Sequence, residues 1–142
     1  MIAEAYWGRE HRLQELGFDY TYDKTLLDRL RAGPAEGVTA HLRADLGHQQ
    51  RSVRFLENHD EPRAAAVFTR PRARSAALVA ATSPGMLLLH DGQLDGARVR
   101  TPVQLARRPD EPVDPELRAF HDRLLDAIGS DAIRRGSPQS DG

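Results

Sequence analysis

The stretch Phe55-Leu56-Glu57-Asn58-His59-Asp60-Glu61-Pro62-Arg63 holds the densest set of groups in this chain that could do chemistry. A run read as apolar, Val53 to Leu56, predicts a short buried strand, and it ends abruptly in carboxylates, an amide, an imidazole and a guanidinium before Pro62 closes it. Groups of this kind grip a polar ligand through charge and hydrogen bonds. In α/β proteins they are placed at the carboxyl ends of parallel strands, aimed into the crevice above the sheet and held by a rigid scaffold. The alternative is that Asn58 to Arg63 is a solvated strand-to-helix loop.

Other candidate chemistry is sparser. The six histidines, His11, His41, His48, His59, His90 and His121, lack close metal-ligand spacing such as H-E-x-x-H, so neither a metal nor any other cofactor is expected. Arg63, Arg70, Arg72 and Arg74 form a local basic run without interleaved aromatics or a Gly-rich phosphate loop, which reads as the solvated face of a helix.

The elements that must position these groups alternate. Met1 to Tyr6 reads as the end of a strand, and Gly8 to Leu16 as a helix with Leu13 and Leu16 on one side, ended by Gly17. Phe18 to Tyr22 alternates as a second strand. Asp23 is placed to cap a helix through Leu26, Leu27 and Leu30 that Gly33-Pro34 stops, and Val38, Leu42 and Leu46 line a further helix. After the third strand comes a helix over about Ala73 to Thr82, then Met86 to Leu89, apolar throughout and so predicted to be buried on both faces. Asp114-Pro115-Glu116 starts a last helix with Leu117, Phe120, Leu124 and Ile128 as its apolar stripe. Ser130 to Gly142, rich in Gly, Ser and Asp, reads as a disordered tail. The fold class predicted is α/β, with about four βα units around a parallel sheet, half the complement of a (β/α)8 TIM barrel.

Composition narrows the function classes. The 142 residues suit one domain, residues 1–129, with 130–142 as tail. Twenty Lys plus Arg balance twenty-one Asp plus Glu to a formal charge of -1, so no nucleic acid or anionic membrane surface is expected as partner. There is no cysteine, no signal peptide and no stretch long enough to span a bilayer, which leaves a soluble, cytoplasmic protein as the expectation.

Two motifs then become specific. Ile2-Ala3-Glu4-Ala5-Tyr6-Trp7 resembles the fifth-strand motif of the alpha-amylase family of glycoside hydrolases, and Phe55-Leu56-Glu57-Asn58-His59-Asp60 resembles its seventh-strand motif, in the right order. Met86 to Gln93 is similar to the eighth strand and the loop after it. The resemblance covers about residues 1–128 and implies the C-terminal half of the catalytic barrel, strands five to eight.

Retaining glycosidases set a nucleophilic carboxylate about 5 Å from a general acid/base, across an oxocarbenium-like transition state. By the resemblance Glu4 is the general acid/base, and Asp60 is the carboxylate that grips sugar hydroxyls and favours the distorted transition state. His59 is its sugar-binding neighbour, with Asn58, Tyr6, Trp7 and Arg63 as further substrate-binding residues. Tyr20 and Tyr22 could equally stack on sugar rings or pack in the core. The alternatives are a frayed, solvated Glu4 and an Asp60 that only caps the next helix. The family's nucleophile, an Asp on the fourth strand, and the Arg near it have no counterpart, so the resemblance implies a fragment, inactive alone. It would act on an α-glucan or oligosaccharide, and its partner would be a complementary barrel half or a second copy of itself. A non-catalytic carbohydrate-binding or interaction module, a relic of the same fold, is the alternative.

Overall fold

Parallel strands cannot be joined by tight turns, so each connection must cross over the sheet. The computed structural model describes residues 1–6, 8–102, 104, 107 and 109–130. Its strands, β1 (Ile2–Ala3), β2 (Tyr20–Tyr22), β3 (Ser52–Arg54) and β4 (Met86–Leu87), lie side by side in chain order and run parallel throughout. Helix α1 (Glu10–Glu15) crosses from β1 to β2. Helices α2 (Lys24–Ala32), α3 (Ala35–Leu42) and α4 (Leu46–Gln50) connect β2 to β3. Helices α5 (Ala64–Val67) and α6 (Arg70–Thr82) connect β3 to β4, and α7 (Pro115–Gly129) follows a long loop after β4. This is the expected α/β architecture of four βα units. Trp7 and the expected tail beyond Ser130 lie outside the described residues.

Local signals set the helix ends. Asp23 Oδ1 accepts from the Leu26 N–H at 2.9 Å, and Leu26, Leu27 and Leu30 turn into the core. Asp114 accepts from the N–H groups of Glu116 and Leu117, with Pro115 in the first turn of α7. Gly85, at φ +122°, lets the chain enter β4 against β3; a Cβ there would stand 2.2 Å from the Ser52 carbonyl oxygen.

Register divides the sheet into two faces. Ala3, Thr21 and Ser52 pair across it, and by the period of two Asp23, Arg54 and Leu87 follow on the same side. That side meets the helices: Leu56 and Leu87 line a small space with Ala77, Ala80 and Leu124 of α6 and α7. The other side carries Ile2, Tyr22, Val53 and Met86, with the Tyr22 and Phe55 rings 5.2 Å apart.

Four expectations are corrected here. Arg54, inside the run read as apolar, is charged and fully buried. In α1 the buried residue is Gln14 while Leu16 is exposed, because Gln14 Nε2 donates to Thr21 Oγ1 at 2.8 Å and to the Arg51 carbonyl at 3.0 Å. Val38 and Leu42 do not share a helix with Leu46: Asp45 accepts from the His48 N–H, starts α4 and leaves Leu46 in water. Strand β4 is only partly buried, since among the described residues it is the last strand of the sheet and has a neighbour on one side only.

Arg54 is held from all directions. Its guanidinium pairs with Asp23 Oδ2 and Gln49 Oε1, and its Nε donates to the Pro84 carbonyl at 3.1 Å. His41 Nε2 meets the same Asp23 oxygen at 2.7 Å, and Gln49 Nε2 donates to the His41 carbonyl at 2.8 Å. Burial lowers the Arg54 pKa to about 10, still far above neutral. Asp23→Ala should cost about 3–5 kcal/mol in urea unfolding by leaving that cation buried and unpaired, whereas Asp23→Leu with Arg54→Leu should cost less than the single change. A double variant worse than the single would show that the pair is net stabilising rather than merely costly to break.

Burial also pushes His41, His48 and His121 down. In the folded state these rings take up protons less readily than in the unfolded chain, so their stability contribution is full above about pH 6.5 and is lost as pH falls below it. The urea midpoint should drop between pH 7 and pH 5.5, and His121→Gln should flatten that slope; an unchanged slope would refute the linkage.

Candidate functional site at the strand carboxyl ends

A strand's last residues project past the sheet, and what fixes them is the loop that follows. After β3 the chain runs through Phe55, Leu56, Glu57 and Asn58, all buried, before it surfaces at His59 and Asp60. Glu57 governs that turn. Its Oε1 accepts from Arg63 Nη1 at 2.7 Å and lies 3.2 Å from His90 Nδ1, while its Oε2 accepts from the Ala64 N–H at 2.6 Å, the start of α5. Arg63 reaches on to the carbonyls of Asp91 and Val99, at 2.6 and 3.2 Å. Glu57, not Asp60, satisfies the helix start. Asn58 Oδ1 accepts from the N–H groups of Asp60 and Glu61 at 2.9 and 3.0 Å, an Asx turn that presents His59 and Asp60 upward.

The two motifs meet above this support. Glu4, next after β1, has Oε1 3.8 Å from His59 Nε2, and His59 Nε2 is 3.5 Å from Asp60 Oδ2. The Tyr6 hydroxyl donates to Glu4 Oε1 at 2.9 Å and accepts from Asn58 Nδ2 at 3.4 Å. Burial, reinforced by the Glu4 carboxylate, pushes that hydroxyl up to about 12, so Tyr6 stays a proton donor at any working pH. Burial and then the Glu4 charge also raise Tyr22.

The residues proposed from sequence therefore separate by position. Glu4, Tyr6, His59 and Asp60 gather at one end of the sheet, with Glu4 and Asp60 side chains open to solvent. Arg63 is buried in its bonds to Glu57, His90 and the loop carbonyls, under the crevice rather than on it and not on a solvated helix face. Asn58 is likewise buried, with its amide spent on the turn and on Tyr6. Glu57 was missed, although it stands inside the motif; a carboxylate six residues before an arginine was the available signal. Arg70, Arg72 and Arg74 tie helices together: Arg70 pairs with Asp114 and Glu116, Arg72 donates to the Leu30 and Gly33 carbonyls, and Arg74 lies over the Phe120 ring.

Among the described residues, Glu4, His59 and Asp60 are the group whose ligand atoms, all within 4.8 Å, could share one cation; the Arg100 guanidinium beside Asp60 opposes one. The site is an open shelf. The larger concavities lie elsewhere, one of about 270 Å³ lined by Glu10, His11, Asp23, His41 and His48, and a groove of about 580 Å³ between α2, α3 and α6. The first belongs to the polar packing around Arg54, and neither holds the converging carboxylates.

Support and shelf should respond differently to mutation. Glu57→Ala, which strands Arg63 and uncaps α5, should cost about 3 kcal/mol or more in denaturant unfolding, while Glu4→Gln and Asp60→Asn should stay within about 0.5 kcal/mol of the parent. Comparable losses from all three would refute the division.

No protein-family model and no curated protein matches the sequence. Solved structures do. A noncanonic maltogenic alpha-amylase from Thermotoga neapolitana superposes with a TM-score of 0.69 at 22% identity, over 92% of this chain and 32% of that one. An alpha-amylase from H. orenii gives 0.70 at 21% identity, over 92% and 36%. The chain spans about a third of the length of these structures, and within that span its four βα units have the fold of part of an alpha-amylase.

Proposed function

We propose that this chain is the part of an alpha-amylase-type retaining glycoside hydrolase or transglycosylase that carries the general acid/base and the sugar-gripping pair, and that it binds α-glucans through them. The observation that carries the reading is the meeting of Glu4 with His59 and Asp60 at the carboxyl ends of β1 and β3, on a fold similar to two alpha-amylases. Glu4 protonates the glycosidic oxygen of the leaving sugar and afterwards takes the proton of the incoming hydroxyl. Asp60 accepts from ring hydroxyls, with bonds that tighten as positive charge grows on the sugar. His59 donates beside it. Tyr6, hydrogen-bonded to Glu4, orients the acid.

A covalent route also needs a nucleophile. The carboxylate that approaches Glu4 is Asp60, the stabiliser in this scheme; Asp19 pairs with the terminal amine and Asp23 with Arg54. The chain alone is therefore proposed to bind without turning over. Among the described residues β1 and β4 are the edge strands of the sheet, the kind that offers backbone groups for pairing, and Met1 and Ile2 are exposed beside the first. A complementary barrel half, or a second copy, is the partner that would cover them.

Maltotriose titrated into the purified chain should perturb Glu4, His59 and Asp60, and Asp60→Asn should weaken binding by about tenfold, the loss of one charge-assisted hydrogen bond. Starch and maltooligosaccharides should not be cleaved. Absence of binding sinks the proposal, and turnover abolished by Glu4→Gln would reveal a nucleophile that the scheme lacks.

A further inference from the structure

The loop after β4 is fastened with more care than a connection needs. The N–H groups of Arg98 and Val99 donate to the Glu111 carboxylate at 2.8 and 3.2 Å, and Arg98 Nη1 donates to the Ala65 carbonyl at 2.5 Å. The Val99 carbonyl accepts from buried Arg63. So clamped, the loop delivers Arg100 to the shelf, where its Nε reaches the His59 carbonyl at 3.4 Å and its Nη2 stands 3.8 Å from Asp60 Oδ1.

The Asp60 carboxylate is thus divided, Oδ2 toward the His59 ring and Oδ1 toward Arg100. Both separations exceed a hydrogen bond, so the pair is aligned but not closed. Side-chain exposure of 53% for Arg100 and 56% for Asp60 makes it a screened surface pair with little to contribute to folding. A planar guanidinium with several donors beside an acceptor-only carboxylate, held slightly apart, matches neighbouring hydroxyls, one accepting and one donating.

We propose that Arg100 is a further ligand-contacting residue of this site, donating to one hydroxyl of a pyranose ring while Asp60 accepts from the hydroxyl next to it. The ligand selected is an oligosaccharide that presents an adjacent pair of free hydroxyls to the loop after β4. The proposal rests on the α-glucan reading above and adds to it a residue outside both sequence motifs.

The test is calorimetric titration of the full chain with maltotriose, alongside thermal unfolding. Arg100→Ala should weaken binding by about tenfold with the unfolding temperature unchanged to about 1 °C, and Arg100→Lys, which keeps the charge and a donor, should recover most of the affinity. Unchanged affinity in Arg100→Ala overturns the proposal. So does a loss that comes with a lowered unfolding temperature and is not repaired by lysine, since that is what a purely structural role produces. A parent chain that binds no maltotriose overturns the α-glucan reading itself, and this proposal with it.

Discussion

Asp23 and Arg54 form an ion pair at the centre of the sheet with almost none of it in water, and most of the chain is arranged around the need to satisfy it. Removing a guanidinium from water is costly, and the attraction of one carboxylate offsets that cost only when the other donors also find acceptors. Here they find Gln49 from α4 and the Pro84 carbonyl from the approach to β4. The carboxylate also starts α2 through Leu26 and meets His41 of α3. One pair therefore joins β2, β3 and the chain before β4 to three helices. A hydrophobic contact could be shifted by a residue without penalty, but this set of directed bonds has one satisfying arrangement, and it specifies the register of β2 on β3.

The same device recurs further along, beyond the carboxyl end of β3. Glu57 and Arg63 are as buried as Asp23 and Arg54, and they too collect neighbours: the first turn of α5, His90 after β4, and the carbonyls of Asp91 and Val99. The first pair sets the strands side by side and the second gathers the loops beyond their carboxyl ends. Between them lies the short run from Phe55 to Asn58, which has no freedom to move His59 and Asp60. A binding residue on a loop gains precision when the loop's own polar groups are used up in holding it.

How much of this was readable depended on distance along the chain. The caps at Asp23 and Asp114 and the break at Gly33-Pro34 act within four residues and could be read directly. The two site motifs could be read because each is a contiguous run at a strand end. Arg54 was passed over inside an apolar stretch because its charge partner Asp23 and the Pro84 carbonyl lie thirty-one and thirty residues away. Gln14 lost to Leu16 as the expected inward residue because periodicity ranks side chains by polarity and cannot foresee that His48, Thr21 and the Arg51 carbonyl will satisfy an amide. Arg63 was read first as a binding group and then as part of a solvated run; its burial follows from Glu57, and a buried carboxylate can be recognised only when its surroundings are known.

Residues that hold the structure and residues placed to act are distinguished by the number of their bonds rather than by their chemistry. Glu4 and Glu57 are the same amino acid in the same kind of place, just past the ends of β1 and β3, yet Glu57 has both oxygens engaged and no exposure, while Glu4 accepts from Tyr6 and otherwise faces solvent. Arg63 and Arg100 differ in the same way. A group with its bonds complete has nothing to offer a ligand, and a group left incomplete in the low-dielectric interior would be destabilising. The shelf resolves this by keeping its incomplete groups in water, where hydration satisfies them. Exposure also lets these groups stand close together: His59 lies between the carboxylates of Glu4 and Asp60 and Arg100 lies beside Asp60, and solvent screens what repulsion is left, so the shelf needs no deep burial to keep its carboxylates side by side.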